Sequence, residues 1–457
     1  MTPPLRETEI VGDTVEIAGE NGVHDRLSPS FDKVMLQPDK APAASTSEDI
    51  SAAGDSSGDS VYGRAFWCSY LSNTALTLAV SMLFRYADFV AILGGEEFVL
   101  GCIIGIGVSG AVLMRIFQGM AIDRYGARAV WIASMVFLVV SLVAHLAITQ
   151  LDGWVYVARI AYATSLAGAA GASITFVSLR SPRGRTAEMI GALGSSGFIG
   201  MAVGPAIADL MFRDAEISRW QVDAMFRCAA AIAVVSLIAA VAAVSGDGKP
   251  VTTNRRKPPV WWLVRRYYPG RILMVSVALG MVIGIPYTFV RTYAKEQAIT
   301  GIGLFFLVYS VVAFSMRVFA RTLPDRWGAR RTIVFGSVFL CLGMLAFLVT
   351  TNAWTMMLPA VLTGVGHAFV FPAAITGGSL AFPARYRGLA TAVMLAMFDL
   401  GNLIGQPIVG GLLATSRRLG WAAYPTMFIV VTGMMATAAA FYAWEPDAHE
   451  RRRGICG

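Results

Sequence analysis

Charge is scarce in this chain. Only 14% of its 457 residues are Asp, Glu, Lys or Arg, against about 25% in a soluble domain. With 56% of residues hydrophobic, too few water-facing groups remain to coat a soluble particle. Cysteine is rare as well. Cys68, Cys102, Cys228, Cys341 and Cys456 stand far apart, mostly inside apolar runs, and no C-x-x-C occurs. This argues against a disulfide framework and against a cysteine metal site. There is no G-x-x-x-x-G-K-[ST] loop to bind ATP and no Ser/His/Asp setting for a nucleophile. No catalytic residue, cofactor or metal is expected, and the chain does not read as an enzyme.

Residues 1–63 lack the apolar content of a folded segment. They hold twelve acids and four bases among Ser, Pro, Ala and Gly. Such a stretch buries too little apolar area to offset ordering entropy, so a disordered acidic tail is expected. It has no apolar h-region and is not a secretory signal peptide.

What the rest has is long apolar runs. A helix needs about 20 apolar residues to cross roughly 30 Å of hydrocarbon. Twelve candidates follow: 65–84, 97–118, 129–149, 153–179, 188–212 and 221–245, then 271–290, 302–322, 331–350, 354–380, 389–414 and 421–443. The runs are continuous rather than alternating, and lipid offers the backbone no water, so helices are expected. Alternate loops, with the span ends bordering them, hold 23 Lys or Arg; the opposite set holds eight. By the positive-inside rule the first set and both termini are cytoplasmic, in a multi-pass protein of the cell membrane. The break at 246–270 is basic and holds four prolines. It reads as a linker on the same side. Its bases beside Trp261, Trp262, Tyr267 and Tyr268 suit a segment lying on anionic lipid. Nucleic-acid binding is not expected of a basic stretch tied between two spans.

One charged break occurs twice. Gly119-Met-Ala-Ile-Asp123-Arg124-Tyr-Gly126-Ala-Arg128 is matched 202 residues later by Arg321-Thr-Leu-Pro-Asp325-Arg326-Trp-Gly328-Ala-Arg330. The same offset pairs Gly101 with Gly303, Arg115 with Arg317, Arg185 with Arg387 and Pro205 with Pro407. Six spans followed by six equivalents form a parallel repeat about an axis normal to the membrane. The expected parts are a 64–245 bundle, the 246–270 linker, a 271–445 bundle and a short tail over 446–457.

With its G-x-x-x-D-R-x-G-x-R loop and twelve spans, the chain resembles the major facilitator superfamily from Arg64 to Trp444. The resemblance implies an all-α membrane protein of two pseudo-symmetric six-helix bundles. It also implies transport of a small molecule by alternating access, with this loop as a gate. Asp123, Arg124 and Arg128 are then gating residues; the plainer alternative is a solvated turn that fixes topology. The second copy, with Asp325, Arg326, Gly328 and Arg330, departs by placing Arg321 at the glycine. Arg115 and Arg317 either snorkel or share in gating.

Polar groups inside the spans are the candidates for substrate or proton binding. Asp399, Asn402 and Gln406 lie on one face of span 11, with Asp399 about 14 Å deep at 1.5 Å per residue. An acid at that depth costs about 2.5 kcal/mol or more and must face the interior, protonate or pair. Tyr70 and Asn73 share a face of span 1. Arg159 stands inside span 4, where efflux branches of the family keep an arginine. His367 in span 10 and Tyr287 in span 7 complete the set, and His145 reads as a packed side chain. Gly200, Gly204 and Pro205 form a small-residue kink in span 5, resembling the G-x-x-x-G-P core of antiporters. The leading expectation is a monomeric proton-coupled exporter of a small organic molecule. Proton-coupled uptake of a metabolite, and a non-transporting scaffold or sensor using the 63-residue tail, stand beside it.

Overall fold

The computed structural model describes residues 62–182, 185–212, 217–245, 260–319, 323–383 and 386–444. Nearly all of the expected 1–63 tail, most of the 246–270 linker, Arg321 and the 446–457 tail lie outside the described residues.

Among the described residues there are thirteen α-helices and no strand. In chain order they are α1 Arg64–Met82, α2 Tyr86–Ile92, α3 Glu97–Ala144, α4 Gly153–Arg180, α5 Thr186–Met211 and α6 Arg219–Val244. There follow α7 Val260–Arg266, α8 Ile272–Glu296, α9 Gly303–Phe319, α10 Leu323–Ala346, α11 Met357–Ser379, α12 Arg387–Arg418 and α13 Ala423–Ala443. Local chemistry marks some starts. Asp152 caps α4 by accepting from Trp154 N, and Ser218 forms a capping box with Gln221 ahead of α6, each satisfying donors that the first turn leaves open.

Ten helical stretches are long and apolar enough to cross a membrane. One of them, Glu97–Ala147, has 51 residues. Straight, it would run about 75 Å, more than twice the hydrocarbon thickness. It bends instead at Gly126, where φ is 82° and ψ 152°. The two arms of α3 cover two of the twelve expected spans, and the 17-residue α9, shorter than these ten, lies at another. The first expected span, 65–84, proves longer: α1 runs through a short 3-10 turn into α2.

The bend repeats. In α10, Gly328 has φ 77° and ψ 160°, within a few degrees of its counterpart 202 residues earlier. An L side chain is strongly disfavoured there, which explains why both copies keep glycine at that point. Helical backbone otherwise persists through the charged residues, so the turn occupies one residue rather than the ten-residue break expected between spans 2 and 3.

Packing follows the same repeat. Within the first helix set (64–245), α1 lies on α5; within the second (260–444), α8 lies on α12. Across the sets, the first arm of α3 meets α12, and α5 meets α9. Small residues allow these approaches, since lipid supplies no hydrophobic drive between helices. A methyl at Gly101 would collide with the Gln406 carbonyl, and one at Gly105 with Leu403 O and Pro407. Near the other ends of the same two helices, a methyl at Gly119 or Gly388 would meet nothing within 4 Å. Exposed tryptophans ring both ends, with Trp67, Trp262 and Trp444 at the Asp123 end and Trp154, Trp220, Trp354 and Trp421 at the other, where interfacial anchors belong.

From the linker, α7 inserts fully buried Leu263 against Phe382 and Ala390, and the Tyr267 ring packs 5.9 Å from Phe382. Trp262, Arg265, Arg266 and Tyr268 stay exposed.

Gly126→Val is expected to lower the stability of the detergent-purified protein by about 1–3 kcal/mol, the cost of a side chain at such a φ. Gly119→Ala is expected to leave it unchanged or slightly raised. Thermal unfolding checks both, and equal midpoints for the two variants would contradict this account of the bend.

Candidate functional site

Asp399 does not stand alone. Arg115 Nε donates to its Oδ2 at 3.2 Å, joining α3 of the first set to α12 of the second. Both side chains are largely buried, at 14% and 13% exposure. The pair explains how a midplane acid is tolerated, and Arg115 turns inward rather than snorkelling.

Beside it, Gln406 Nε2 donates to Asn402 Oδ1 at 3.2 Å, and Asn402 Nδ2 donates to the Phe398 carbonyl at 3.4 Å. Gln406 is fully buried, with its Oε1 lacking a partner among the described residues. A methyl at Gly284 of α8 would strike both amides, so this face of α12 is pressed against α8 rather than against open space.

Toward the end opposite Asp123, the sets are joined by a second and more extensive charge cluster. Arg85 grips Asp209 with Nη2 at 2.7 Å and Nε at 3.1 Å, and donates from Nη1 to Asp88 at 3.0 Å. Arg291 of the second set donates from Nε to Asp88 Oδ2 at 3.0 Å. The Asp209 Oδ2 also accepts from the Gly303 amide at 2.6 Å. Two carboxylates and two guanidiniums balance, and Arg85 and Asp88 are buried. A cavity of about 400 Å³ lies over this cluster, lined by Asp88, Glu97, Arg291, Lys295, Glu296 and Arg417 among others. At its rim, Arg417 bridges Glu97 at 2.6 Å and Glu296 at 2.7 Å.

None of these four cluster residues was a site candidate on sequence grounds. Arg85 and Arg291 lie at span ends, where charge is ordinary, and Asp209 lies near the end of α5. A signal was present: Arg85 and Asp88 are three apart at a span end, and Asp209 is an acid inside an apolar helix.

A third group lies in the second set and faces α5. Tyr309 OH and His367 Nδ1 form a hydrogen bond. The Tyr287 ring is 6.4 Å from that of Tyr309, and its hydroxyl points to Met201 Sδ across the seam at 3.9 Å. A cavity of about 10 Å³, at the lower limit for one water, touches Tyr287, Tyr309 and Thr363. The His367 ring meets Phe371 at 5.3 Å, and Arg317 sits over Phe198 at 4.8 Å and Phe371 at 5.8 Å.

Arg159 is placed differently. Its guanidinium lies over Tyr86 at 4.5 Å and Tyr162 at 4.6 Å, and its Nη1 is buried without a hydrogen-bond partner among the described residues. These rings belong to the first set alone. Tyr70 hydrogen-bonds Ser195 at 3.2 Å and Asn73 donates to Ser196 at 2.7 Å, which ties α1 to α5. Gly200 and Gly204 serve the same contact, since methyls there would strike Thr77 and Ser81. His145 is packed as read, with Ser141 O 2.6 Å from its Nδ1 and its ring stacked on Phe226.

At the Asp123 end, the Arg124 guanidinium lies 5.3 Å from the Tyr125 ring centroid, and Arg330 donates to the Ala443 carbonyl. Tyr62 donates to Glu188 at 2.7 Å, and that bond holds its phenol above its ordinary pKa.

A family model described as Major Facilitator Superfamily matches residues 65–323 and 297–454. A protein of Agrobacterium vitis named for tartrate transport is 33% identical over 131 residues, 28% of this chain and 29% of its own length. The riboflavin transporter RibZ of Clostridioides difficile is 26% identical over 122 residues, 27% of this chain and 25% of its own. The chain thus aligns with under a third of either relative's length. Among solved structures, the nucleoside transporter NupG superposes with a TM-score of 0.65 at 14% identity, covering 84% of this chain and 100% of that one. A D-xylose–proton symporter gives 0.66 at 15%, covering 84% and 97%. At such identities these structures support the fold alone.

Asp88→Asn should leave Arg291 without its carboxylate in a largely buried setting, with Arg85 held by Asp209 alone, and cost about 3–5 kcal/mol, as removal of one partner of a buried ion pair does. Asp88→Leu combined with Arg291→Leu should be milder than Asp88→Asn. Thermal unfolding of the purified variants reads this, and a near-neutral Asp88→Asn would refute the cluster as a cross-set tie.

Proposed function

The chain belongs to the major facilitator superfamily, and we propose that it is a secondary transporter moving a small organic solute by alternating access with proton coupling. The observation that carries this reading is the Arg115–Asp399 pair spanning the two helix sets. An ion pair across a seam between rocking bodies is a bistable contact: it holds when the seam is closed and breaks when it opens. On breaking, a carboxylate in an apolar setting gains a reason to take a proton. Asp399 is therefore assigned as the proton site and Arg115 as the group that expels the proton when the pair re-forms.

The Arg85, Asp88, Asp209 and Arg291 cluster is assigned as the gate at the opposite end. The tight α3–α12 contact at Gly101 and Gly105, and the open space around Gly119 and Gly388, support a conformation closed at that end. The Lys/Arg distribution supports placing the Asp123 end in the cytoplasm, which makes this conformation inward-facing. Asp123, Arg124 and Arg128, with Asp325, Arg326 and Arg330, are then the cytoplasmic loop residues that bias closure. Twelve spans, two six-helix bundles and a monomer belong to the same reading.

Export by proton exchange is the leading direction, supported by the Gly200-x-x-x-Gly204-Pro205 core in α5. Proton-coupled uptake is the second reading. The same Arg115–Asp399 pair supports it, since a proton on Asp399 could accompany the solute as well as exchange for it.

Proteoliposomes test the coupling. With tartrate, riboflavin and nucleosides as the first solutes, the wild type should accumulate its solute only under a pH gradient. Asp399→Asn should keep solute exchange at equilibrium yet lose roughly tenfold or more of gradient-driven accumulation. Undiminished accumulation by that variant would remove Asp399 from the proton path.

A further inference from the structure

The repeat breaks at one informative place. The 202-residue offset pairs Arg115 with Arg317, and it pairs Asp399 with Gly197. Arg115 of α3 reaches its carboxylate on α12. Arg317 of α9 faces the equivalent seam with α5, whose Asp209 carboxylate lies at the far end of α9, on the Gly303 amide, so no ion pair to Arg317 forms among the described residues. Its guanidinium covers Phe198, the neighbour of Gly197, at 4.8 Å, and Phe371 at 5.8 Å. Its Nε is buried without a hydrogen-bond partner among the described residues. Arg115 thus stands in an ion pair, and its counterpart Arg317 stands in none among the described residues.

A guanidinium inside a membrane bundle is costly unless paired, and an unpaired buried donor carries the desolvation cost of its lost water. Aromatic faces offset part of this through cation–π attraction, but they leave the buried, in-plane Nε–H unanswered. A guanidinium presents its N–H groups as a fork suited to a carboxylate. Around the fork stand Phe198, Phe371, Tyr309 and His367, and the Phe371 ring continues to Phe398 at 5.5 Å, the residue before Asp399. The rings around Arg317 come from both helix sets, Phe198 from the first and Phe371 from the second.

We infer that Arg317 is the substrate anchor, and that the substrate is an organic anion whose carboxylate takes the place Gly197 leaves empty in the repeat. The inference rests on the transporter reading for its purpose and names the substrate class within it. The carboxylate completes at the α5–α9 seam the pair that Asp399 completes at the α3–α12 seam. Loading the anion then ties the sets together on both seams, so the loaded carrier rocks with its buried charges compensated. A neutral solute would leave Arg317 uncompensated.

Gly197 supplies the variant that separates this from a merely structural arginine. A Cβ there would meet only Thr77 Cγ2 at 3.7 Å, an ordinary contact, so a side chain has room. Gly197→Asp should provide the missing carboxylate from within the chain and compete with the ligand.

The experiment is thermal stabilisation of the detergent-purified full chain by millimolar benzoate, succinate and lactate. Their uncharged amides and inorganic phosphate serve as comparison solutes. The wild type should be stabilised by at least one carboxylate and not by its amide. Arg317→Gln should bind that carboxylate roughly 30-fold more weakly or worse, as loss of one partner of a buried charge pair does. Gly197→Asp should remain folded, with an unfolding midpoint at or above the wild type, and lose the carboxylate response. Stabilisation unchanged in either variant overturns the inference, as does response to phosphate or amides alone, or to no carboxylate in the wild type. Failure of the transporter reading looks different: carboxylate binding that depends on Arg317 without flux of that anion in proteoliposomes.

Discussion

A charge buried in hydrocarbon needs an opposite charge beside it, and this chain meets that need largely between its two helix sets. Arg115 finds Asp399 across one seam. Arg291 finds Asp88, which also holds Arg85, and Arg85 reaches on to Asp209. Apolar helices in lipid have little hydrophobic reason to stay together, so packing of small residues and polar contacts carry the association. Glycines bring α3 against α12 closely enough for those contacts to form. Separating the sets breaks the pairs, and each lost pair leaves charges that must be re-solvated by water, a proton or a ligand. That physical demand links the fold to the proposed transport.

The 202-residue repeat organises the rest. It places two glycines with φ near 80° at equivalent bends, two prolines inside equivalent helices and two arginines on equivalent seams. Where the repeat holds, it builds the scaffold. Where it fails, the chain has specialised: Asp399 has no acidic counterpart, and the charge cluster around Asp88 has none in the second set. An asymmetric distribution of charge on a symmetric frame gives the two seams different chemistry, which the proposed coupling uses.

Much of the fold could be read from residue types alone. Apolar runs of span length, the doubled Asp-Arg-x-Gly loop and the arginine distribution each rest on local composition. Helix ends were less legible. The backbone needs only Gly126 to turn, while composition shows a charged stretch of ten residues. The candidate site was legible only in part. Asp399 stood out because a midplane acid is expensive, but its partner lies 284 positions away, and nothing local to either residue announces the other. Asn73 and Tyr70 looked like cavity polar groups. They serve α1–α5 packing, because a face shared by polar residues looks the same in sequence whether it meets a ligand or a serine. Arg85, Asp88, Asp209 and Arg291 sit at span ends, where charge is ordinary, so only their convergence makes them notable.

The most direct test is a pair of distance measurements on one protein. Spin labels on cysteines replacing exposed Tyr125 and Trp327 report the Asp123 end, and labels replacing Gly94 and Gln297 report the opposite end. The native cysteines are removed for this purpose. Double electron–electron resonance in lipid nanodiscs should show two populations at each end, with a long distance at one end accompanied by a short one at the other. Lowering the pH should shift their balance, and Asp399→Asn should abolish that shift. A single distance at both ends, unmoved by pH, would contradict a transporter whose seams open alternately around Arg115 and Asp399.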